Sequence, residues 1–475
     1  MAGLLLAGSL SLASAAEVDV VIRLEGRPAL HRLAAGATRS ARRAALVRGL
    51  RGALAGASAG IRDRLARIGA TNVRDLWIAN AVAARIPEEE LEALAALPGV
   101  AAVEPDRVAA RLLPGPAADS SPPAAWNLDA IRARELWDRG IKGAGVTVAV
   151  LDSGADAGHP DLAPRWRGNP GGWFDPYGEH PDAPVDVESP GPSSVVPAGH
   201  GTAVLGIAVG GNASGQPIGV APGARWIAAR VFNDRGEATT SAIHQALQWV
   251  LDPDGVPATD DAPDVVNLSW GLNGFPGQCV PEYLPDIEAL DVADIVVVAA
   301  AGNDGLLPDD RLDLSPANYP SVIAVGMSGP HGDVMPESTP GPGSCRGKFV
   351  YPDVVAPGFD LWTADLTLGG MTSRDPYRVV PAGTSFSAPH AAGVAALLRS
   401  AFPDATAAQV REALRAGARD LGDPGPDDVS GYGLVDAVAA YEALLAFECT
   451  DADGDGYSAQ GGICGPVDCD DGDPA

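Results

Sequence analysis

The 475-residue sequence has few aromatic residues, very little lysine and a shortage of positive charge. Aromatic residues make up 5% of the chain, and lysine occurs only at Lys142 and Lys348. The 33 basic residues stand against 61 acidic ones, which gives a formal net charge of −28. A surface this negative repels phosphate backbones and anionic lipids, so binding to nucleic acid or to a membrane surface is disfavoured. The hydrophobic share of 46% is enough to form buried cores, and the length fits two to four domains.

Apolar runs long enough to span a membrane are also missing, because a spanning helix needs roughly 20 such residues. The first residues, Met1–Ala16, combine an uncharged apolar stretch with the small residues Ala13–Ala15. This pattern is typical of a secretory signal, although the usual positive residues ahead of the stretch are absent. A buried N-terminal helix is the alternative. We therefore expect a secreted or cell-surface protein without a membrane span.

Residues 17–111 form a basic region in an otherwise acidic chain, with fifteen arginines against eleven acidic residues. The apolar patterning predicts strands and helices at Val18–Leu24, Ser40–Ile68, Asn72–Ile86 (two strands), Glu88–Leu97 and Ala101–Glu104. The resulting order, strand, helix, strand, strand, helix, strand, is typical of a small ferredoxin-like α+β domain.

Residues 112–125 consist mainly of Pro, Ala, Gly and Ser, which is the composition of a linker. In the following region, residues 126–447, short apolar runs alternate with segments of helix length. The runs predicted to be strands are Val146–Leu151, Trp226–Val231, Val265–Leu268, Ile295–Ala301 and Val322–Val325. This alternation predicts an α/β fold with a largely parallel sheet and helices on both of its faces.

Three motifs in this region carry groups suited to hydrolytic chemistry. Asp152 follows a predicted strand, and open α/β sheets place catalytic groups at the carboxyl ends of their strands. His200 lies in a Gly-His-Gly-Thr run at a predicted helix start, and Ser385 precedes the apolar helix predicted at Ala391–Leu398. Singly, each has an ordinary explanation: a turn-capping aspartate, a structural histidine and a helix N-cap. Alternative bases are His159, His180, His244, His331 and His390.

Together the motifs resemble those of the subtilisin-like serine peptidases, because Asp-Ser-Gly, His-Gly-Thr and Gly-Thr-Ser-x-Ser-x-Pro occur in the order Asp, His, Ser. Ser387 stands where the Gly-x-Ser-x-Gly motif of α/β-hydrolases requires glycine, which disfavours an esterase or lipase. The resemblance implies that Ser385 is the nucleophile, that His200 is the general base and that Asp152 orients the imidazole.

The resemblance also implies roles for residues outside the three motifs. Asn303 would donate to the oxyanion, and Ser269, Trp270 and Gly271 would pair with the substrate backbone, with the bulky Trp270 narrowing or roofing the cleft. Residues 17–111 would be an inhibitory propeptide, which the enzyme itself removes at a bond between Val108 and Ala125.

Two loop features accompany this assignment. The segment Gly168–Ala198 is crowded with Pro, Gly and Asp, so we expect surface loops near the site. Cys279 and Cys345 lie in other loop-like segments and are candidates for a disulfide. The remaining cysteines, Cys449, Cys464 and Cys469, make the total odd, which leaves one without a partner.

The last region, residues 448–475, has eight acidic residues, no basic residue and little apolar surface to bury. Asp451, Asp453 and Asp455 alternate ahead of a glycine, which presents hard oxygens around a tight turn as calcium loops do, although the final Glu of an EF-hand is missing. Together with Asp468 and Asp470 they resemble the Asp- and Cys-rich calcium-binding repeats of secreted bacterial proteins. We expect such a repeat to continue beyond Ala475. An acidic disordered tail is the alternative.

These expectations describe a secreted serine endopeptidase that is made as a self-processed zymogen, acts on protein or peptide substrates and carries structural calcium. Its own propeptide would be its inhibitor, and the family resemblance implies a monomer. A non-catalytic protein that binds surfaces in a calcium-dependent way on the same fold is the alternative. The intact set of Asp152, His200, Ser385 and Asn303 argues against that alternative.

Overall fold

A computed structural model describes residues 16–36, 38–111, 125–186, 198–272, 276–308, 312–345, 350–368 and 376–448. The strands are β1 (Glu17–Leu24), β2 (Thr71–Leu76), β3 (Ala81–Pro87), β4 (Val100–Pro105), β5 (Val108–Arg111), β6 (Thr147–Asp152), β7 (Trp173–Phe174), β8 (Arg225–Arg230), β9 (Ala238–Thr239), β10 (Val265–Leu268), β11 (Gly271–Leu272), β12 (Val296–Ala300), β13 (Val322–Ser328), β14 (Val354–Pro357), β15 (Phe359–Ala364) and β16 (Tyr377–Ala382). The helices are α1 (Leu30–Leu33), α2 (Arg39–Arg67), α3 (Leu91–Ala95), α4 (Trp126–Ala130), α5 (Ala133–Asp138), α6 (His200–Val209), α7 (Thr240–Leu251), α8 (Leu284–Val292), α9 (Thr384–Ala401), α10 (Ala407–Ala416) and α11 (Ala437–Glu448).

The chain divides into two compact units. The first contains the residues up to Pro28 together with Leu50–Arg107, and the second contains residues 29–49 and the chain from Val108 onwards. In the first unit an antiparallel sheet has the strand order β2-β3-β1-β4, with β1 in the interior paired to both β3 and β4. Val20 and Ile22 of β1 are fully buried, and buried Leu54, Ile61 and Leu65 follow one face of α2 at helical spacing.

The second unit is built on a seven-stranded sheet with the order β14-β13-β12-β10-β6-β8-β7. Every neighbouring pair for which a register is defined runs parallel. The strands predicted from apolar runs agree with β6, β8, β10, β12 and β13 to within three residues at either end. The prediction of a largely parallel sheet flanked by helices is therefore confirmed.

Helices α6 and α9 are both deeply buried, since all ten residues of α6 and Thr384–Arg399 of α9 are buried. They pack against each other, and α9 also lies along β10, β12, β13 and β14. The close approach requires a glycine at position 393, because a Cβ there would collide with the side chain of Val220 and lie 3.1 Å from the carbonyl oxygen of Ala208. This packing brings the first turns of α6 and α9 to the same part of the core.

A three-stranded sheet of order β11-β5-β9 was not expected from the sequence. Strand β5 pairs antiparallel with β11, where Arg111 lies opposite Gly271, and with β9, where Ala110 lies opposite Ala238. The boundary between the compact units consequently falls at Arg107 and Val108, four residues before the start of the predicted linker.

The remaining expectations concern the disulfide, the loops, a membrane span and the two termini. Cys279 and Cys345, the candidate pair, form a disulfide with a Cα–Cα distance of 4.8 Å. The described part of the segment Gly168–Ala198 is less loop-like than expected, because it contains β7 and the buried residue Asp186. No helix among the described residues is long and apolar enough to cross a membrane. Residues 1–15 of the predicted signal Met1–Ala16 lie outside the described residues, as do the predicted calcium ligands Asp451, Asp453, Asp455, Asp468 and Asp470.

Helices α7 and α8 are joined by a buried ionic contact. The imidazole of His244 is fully buried, with Nδ1 2.8 Å from Asp286 Oδ1 and Nε2 2.8 Å from Glu282 Oε1. Burial alone would lower the pKa of His244, but the two carboxylates outweigh it and raise the pKa to about 9. The contact is therefore an imidazolium between two carboxylates at neutral pH.

This contact predicts how stability depends on pH. The folded pKa of His244 lies above its ordinary value of 6.5, so its contribution is complete below pH 6.5 and is lost as pH rises through about 9. We expect that loss to be on the order of 3 kcal/mol in the free energy of unfolding of the second unit. Urea unfolding at pH 6 and pH 9.5, followed by tryptophan fluorescence, measures it. The control His244→Gln should lack this decline, and parallel pH curves for the two proteins would contradict the prediction.

Candidate active site

Asp152 and His200 meet at the carboxyl edge of the parallel sheet. Asp152 is the last residue of β6, His200 is the first residue of α6, and His200 Nδ1 lies 2.7 Å from Asp152 Oδ1. The same carboxylate oxygen accepts a hydrogen bond of 2.7 Å from the backbone N–H of Ser153. An ionised carboxylate can only accept, so the proton of a neutral imidazole lies on Nδ1 and Nε2 is left as an acceptor.

Ser385 is the second residue of α9, and two hydrogen bonds join it to the chain that follows β10. Its hydroxyl donates to the carbonyl oxygen of Ser269 at 3.1 Å, and the hydroxyl of Ser269 donates to the carbonyl oxygen of Ser385 at 2.7 Å. The rings of His200 and Phe386 are 5.5 Å apart between centroids, so the imidazole lies beside the first turn of α9. In this state the Ser385 hydroxyl is directed at Ser269 rather than at the imidazole.

Asn303 follows β12 and is oriented by the residue that precedes Ser385. Its side-chain oxygen accepts from the backbone N–H of Thr384 at 2.9 Å and from the Thr384 hydroxyl at 3.0 Å. These two hydrogen bonds fix the orientation of the side-chain amide, so the position of its nitrogen is fixed as well. The nitrogen lies close to Gly383, since a Cβ built on that glycine would be 3.7 Å from it. Two donors are thereby placed at the start of α9, the Asn303 amide and the backbone N–H of Ser385, where the helix dipole favours negative charge.

The segment predicted to bind substrate backbone lies next to these groups, but one of its side chains points elsewhere. Trp270 is 3% exposed, and its indole N–H donates to the carbonyl oxygen of Leu151 at 2.8 Å. The expectation that its side chain roofs a cleft is wrong, because the ring is buried beneath the end of β6. The backbone of Gly271 is paired with Arg111 of β5, which shows that this edge accepts an antiparallel strand.

The alternative histidine bases have other partners or surroundings. His159 Nε2 lies 2.7 Å from the carbonyl oxygen of Pro376, and His180 contacts Asp234. His244 is held between carboxylates as described above, and His331 is exposed. His390 is fully buried, and the loss of solvation lowers its pKa to about 4. Of the histidines proposed as bases, His200 is the one whose imidazole contacts Asp152 within the described residues.

An acidic cluster that the sequence analysis did not identify lies in the loop after α7. One carboxylate oxygen from each of Asp252, Asp254 and Asp261 lies within 4.8 Å of the others. Burial raises the pKa of Asp261 to about 6. The cluster has protein partners, since the Thr259 hydroxyl donates to Asp254 and Arg167 lies 3.9 Å from Asp261.

The sequence of this chain is similar to a known protein family and to several of its members. The sequence model of the subtilase family matches residues 143–433. Bacillopeptidase F of Bacillus subtilis is 34% identical over 336 residues, which are 67% of this chain and 22% of that protein. Subtilisin E of Bacillus subtilis is 33% identical over 383 residues, which are 81% of this chain and 86% of subtilisin E.

The fold also resembles a solved structure. Fervidolysin from Fervidobacterium pennivorans, described as a keratinolytic enzyme related to subtilisin, matches with a TM-score of 0.62 at 21% sequence identity. The match covers 92% of this chain and 62% of the fervidolysin chain. At this level of identity the likeness concerns the fold.

Proposed function

The chain belongs to the subtilase family of serine-type endopeptidases, and from that premise we propose that it hydrolyses peptide bonds with a catalytic triad of Asp152, His200 and Ser385. The observation that carries the proposal is the buried 2.7 Å contact between Asp152 and His200 beside the first turn of α9. Protein or peptide chains are the proposed substrates.

Each member of the triad has a role that follows from its surroundings. The Ser385 hydroxyl turns from Ser269 to His200 Nε2, which takes its proton as the oxygen bonds to the scissile carbonyl carbon. The imidazolium then protonates the leaving amine as the C–N bond breaks, which leaves an acyl group on Ser385. His200 then takes a proton from water as the water oxygen bonds to the acyl carbon. The bond from that carbon to Ser385 Oγ breaks, the imidazolium returns the proton to Oγ, and the acid product leaves. Asp152 stays ionised throughout and stabilises the imidazolium.

The negative charge that forms on the carbonyl oxygen needs donors in place before the reaction. We assign this role to the Asn303 side-chain amide and the backbone N–H of Ser385. The double contact of Asn303 with Thr384 supports the assignment, because it orients the amide before substrate arrives. A preorganised donor of this kind contributes on the order of 3 kcal/mol to transition-state stabilisation.

In this proposal the substrate and the inhibitory N-terminal region bind along the same backbone edge, Ser269–Gly271. The substrate would bind as an added β-strand along Ser269, Trp270 and Gly271. Hydrogen bonds between the two backbones would give affinity for the substrate, and pockets for its side chains would give sequence preference. The antiparallel pairing of β5 with Gly271 supports it, because β5 forms the first residues of the expected cleavage region. We therefore propose that the N-terminal region inhibits the enzyme until a bond between Val108 and Ala125 is cut.

We also propose that the protein is exported from the cell. The signal pattern at Met1–Ala16 and the disulfide of Cys279 with Cys345 support this proposal.

The first test is replacement of the nucleophile. Ser385→Ala should lower kcat by roughly four to six orders of magnitude, and its precursor should keep full mass while the wild-type precursor is shortened. Mass spectrometry of the purified chains measures the processing. Ser387→Ala is the matched control, since it alters a buried serine in the same helix and should be processed like wild type. Equal trimming of wild type and Ser385→Ala would contradict self-processing.

Casein and a simple ester, tested on the mature form, separate a peptidase from an esterase.

A second test separates the two ends of the Asn303 side chain. Asn303→Asp keeps an oxygen for Thr384 but removes the donor, so kcat should fall by roughly 100- to 1,000-fold with little change in KM. Steady-state kinetics on a peptide substrate measures both constants. Full activity in this variant would show that Asn303 serves only to anchor Thr384.

The spacing of the acidic residues in the tail supports a third proposal, that Asp451, Asp453 and Asp455, with Asp468 and Asp470, bind calcium as a structural ion. Titration calorimetry should detect calcium binding by the full chain and a clear loss in Asp451→Asn/Asp453→Asn/Asp455→Asn. The control Asp254→Asn alters the acidic cluster after α7 and should leave the binding heat unchanged. Unchanged binding after removal of residues 449–475 would place any calcium elsewhere.

A further inference from the structure

Asp186 is a buried carboxylate that reaches the candidate site from the segment before α6. It is 4% exposed, and its oxygens accept three hydrogen bonds. The Ser153 hydroxyl donates to Oδ1 at 2.6 Å, while the Thr202 hydroxyl and backbone N–H donate to Oδ2 at 2.6 Å and 2.8 Å. Ser153 directly follows Asp152, and Thr202 lies two residues after His200. Asp186 thus contacts a close neighbour of each of two triad residues.

The directions of these hydrogen bonds make Asp186 the acceptor from both Ser153 and Thr202. The Ser153 hydroxyl accepts from the backbone N–H of Gly201 at 2.9 Å, and the Thr202 hydroxyl accepts from the backbone N–H of Asp156 at 3.0 Å. Each hydroxyl therefore has its own proton available for Asp186. Burial raises the pKa of Asp186 above its ordinary value, and the hydrogen bonds from Ser153 and Thr202 oppose this rise without outweighing it.

The same contacts supply the cap of α6. The residue before the helix is Gly199, which has no side chain to satisfy the N–H groups of the first turn. The Ser153 hydroxyl accepts one of these groups, from Gly201, and the Asp186 carboxylate accepts the next, from Thr202. When Asp186 is ionised, its charge also interacts favourably with the dipole of α6. The helix that begins with His200 is capped by two side chains distant in sequence.

Close backbone packing makes this arrangement rigid. A Cβ on Gly154 would collide with the carbonyl of Val185, and a Cβ on Gly201 would collide with the carbonyl of Gly154. Arg378 donates to the carbonyl oxygens of Ala198 at 2.7 Å and Gly199 at 3.1 Å. Arg378 also faces the carboxylates of Asp365 and Asp186, which balances their charge.

We propose that Asp186 is a positioning residue for the triad, which caps the helix carrying His200 and ties it to Ser153 so that the contact between Asp152 and His200 is held in place. The inference rests on the triad proposed above. Asp186 acts through Ser153 and Thr202 and touches neither substrate nor the reacting atoms.

The test compares Asp186→Ala with Asp182→Ala, an exposed aspartate of the same segment. Both are expressed as full precursors, and active sites are counted with a fluorophosphonate probe. Asp186→Ala should lower kcat by roughly 10- to 100-fold, since small misplacements of catalytic groups cost that much, with KM changed less than about threefold. The acid limb of the kcat/KM profile should move to lower pH, because a weaker contact with Asp152 stabilises the imidazolium less. Asp182→Ala should match wild type.

A purely structural role would give a different result. It would lower the melting temperature of Asp186→Ala while kcat per titrated site and the acid limb stay as in wild type, and that outcome overturns the proposal. If Asp186→Ala does not fold, Asp186→Asn replaces it, because asparagine keeps the shape of the side chain and one acceptor oxygen. The same quantities, kcat per titrated site and the acid limb, are then measured on Asp186→Asn. Losses in Asp186→Asn and Ser153→Ala should not add in the double variant, whereas full additivity contradicts the link through Ser153. If the triad itself were wrong, Ser385→Ala would stay active whatever Asp186 does.

Discussion

Parallel pairing of three neighbouring strands is the constraint on which the candidate site depends. Strands β6, β10 and β12 are adjacent and parallel, so their carboxyl ends meet at one edge of the sheet. Asp152 ends β6, Ser269 follows β10 and Asn303 follows β12. Because side chains alternate between the two faces of a strand, a shift of one residue in β6 would turn Asp152 away from His200.

Two buried helix starts complete the arrangement. His200 begins α6 and Ser385 lies in the first turn of α9, and the glycine at position 393 lets these helices approach closely. The reciprocal hydrogen bonds between Ser269 and Ser385 join the end of β10 to α9. Strand ends therefore supply the aspartate and the amide of the proposed site, whereas helix starts supply the proposed base, the proposed nucleophile and a backbone donor. Each group is held by elements that belong to the core, which favours a preorganised site.

Much of this architecture could be predicted from the sequence because its signals are local. The strands of the large sheet are short apolar runs, and the candidate residues stand next to them in recognisable motifs. Trp270 marks the limit of such reasoning, since its place beside a strand does not reveal that its indole packs toward Leu151. Strand β5 marks another limit, because four residues, Val108–Arg111, become a strand only where β9 and β11 offer edges on both sides.

The sequence by itself determined the α/β class, the basic and acidic regions and the candidates Asp152, His200, Ser385 and Asn303. These features depend on composition, periodicity and short motifs, all of which are local along the chain. Only the tertiary structure decided that Asp186 meets Ser153 and Thr202 and that His244 lies between two carboxylates. Contacts of this kind join residues 16 to 42 positions apart, and packing of the core selects them, not the residues that flank them.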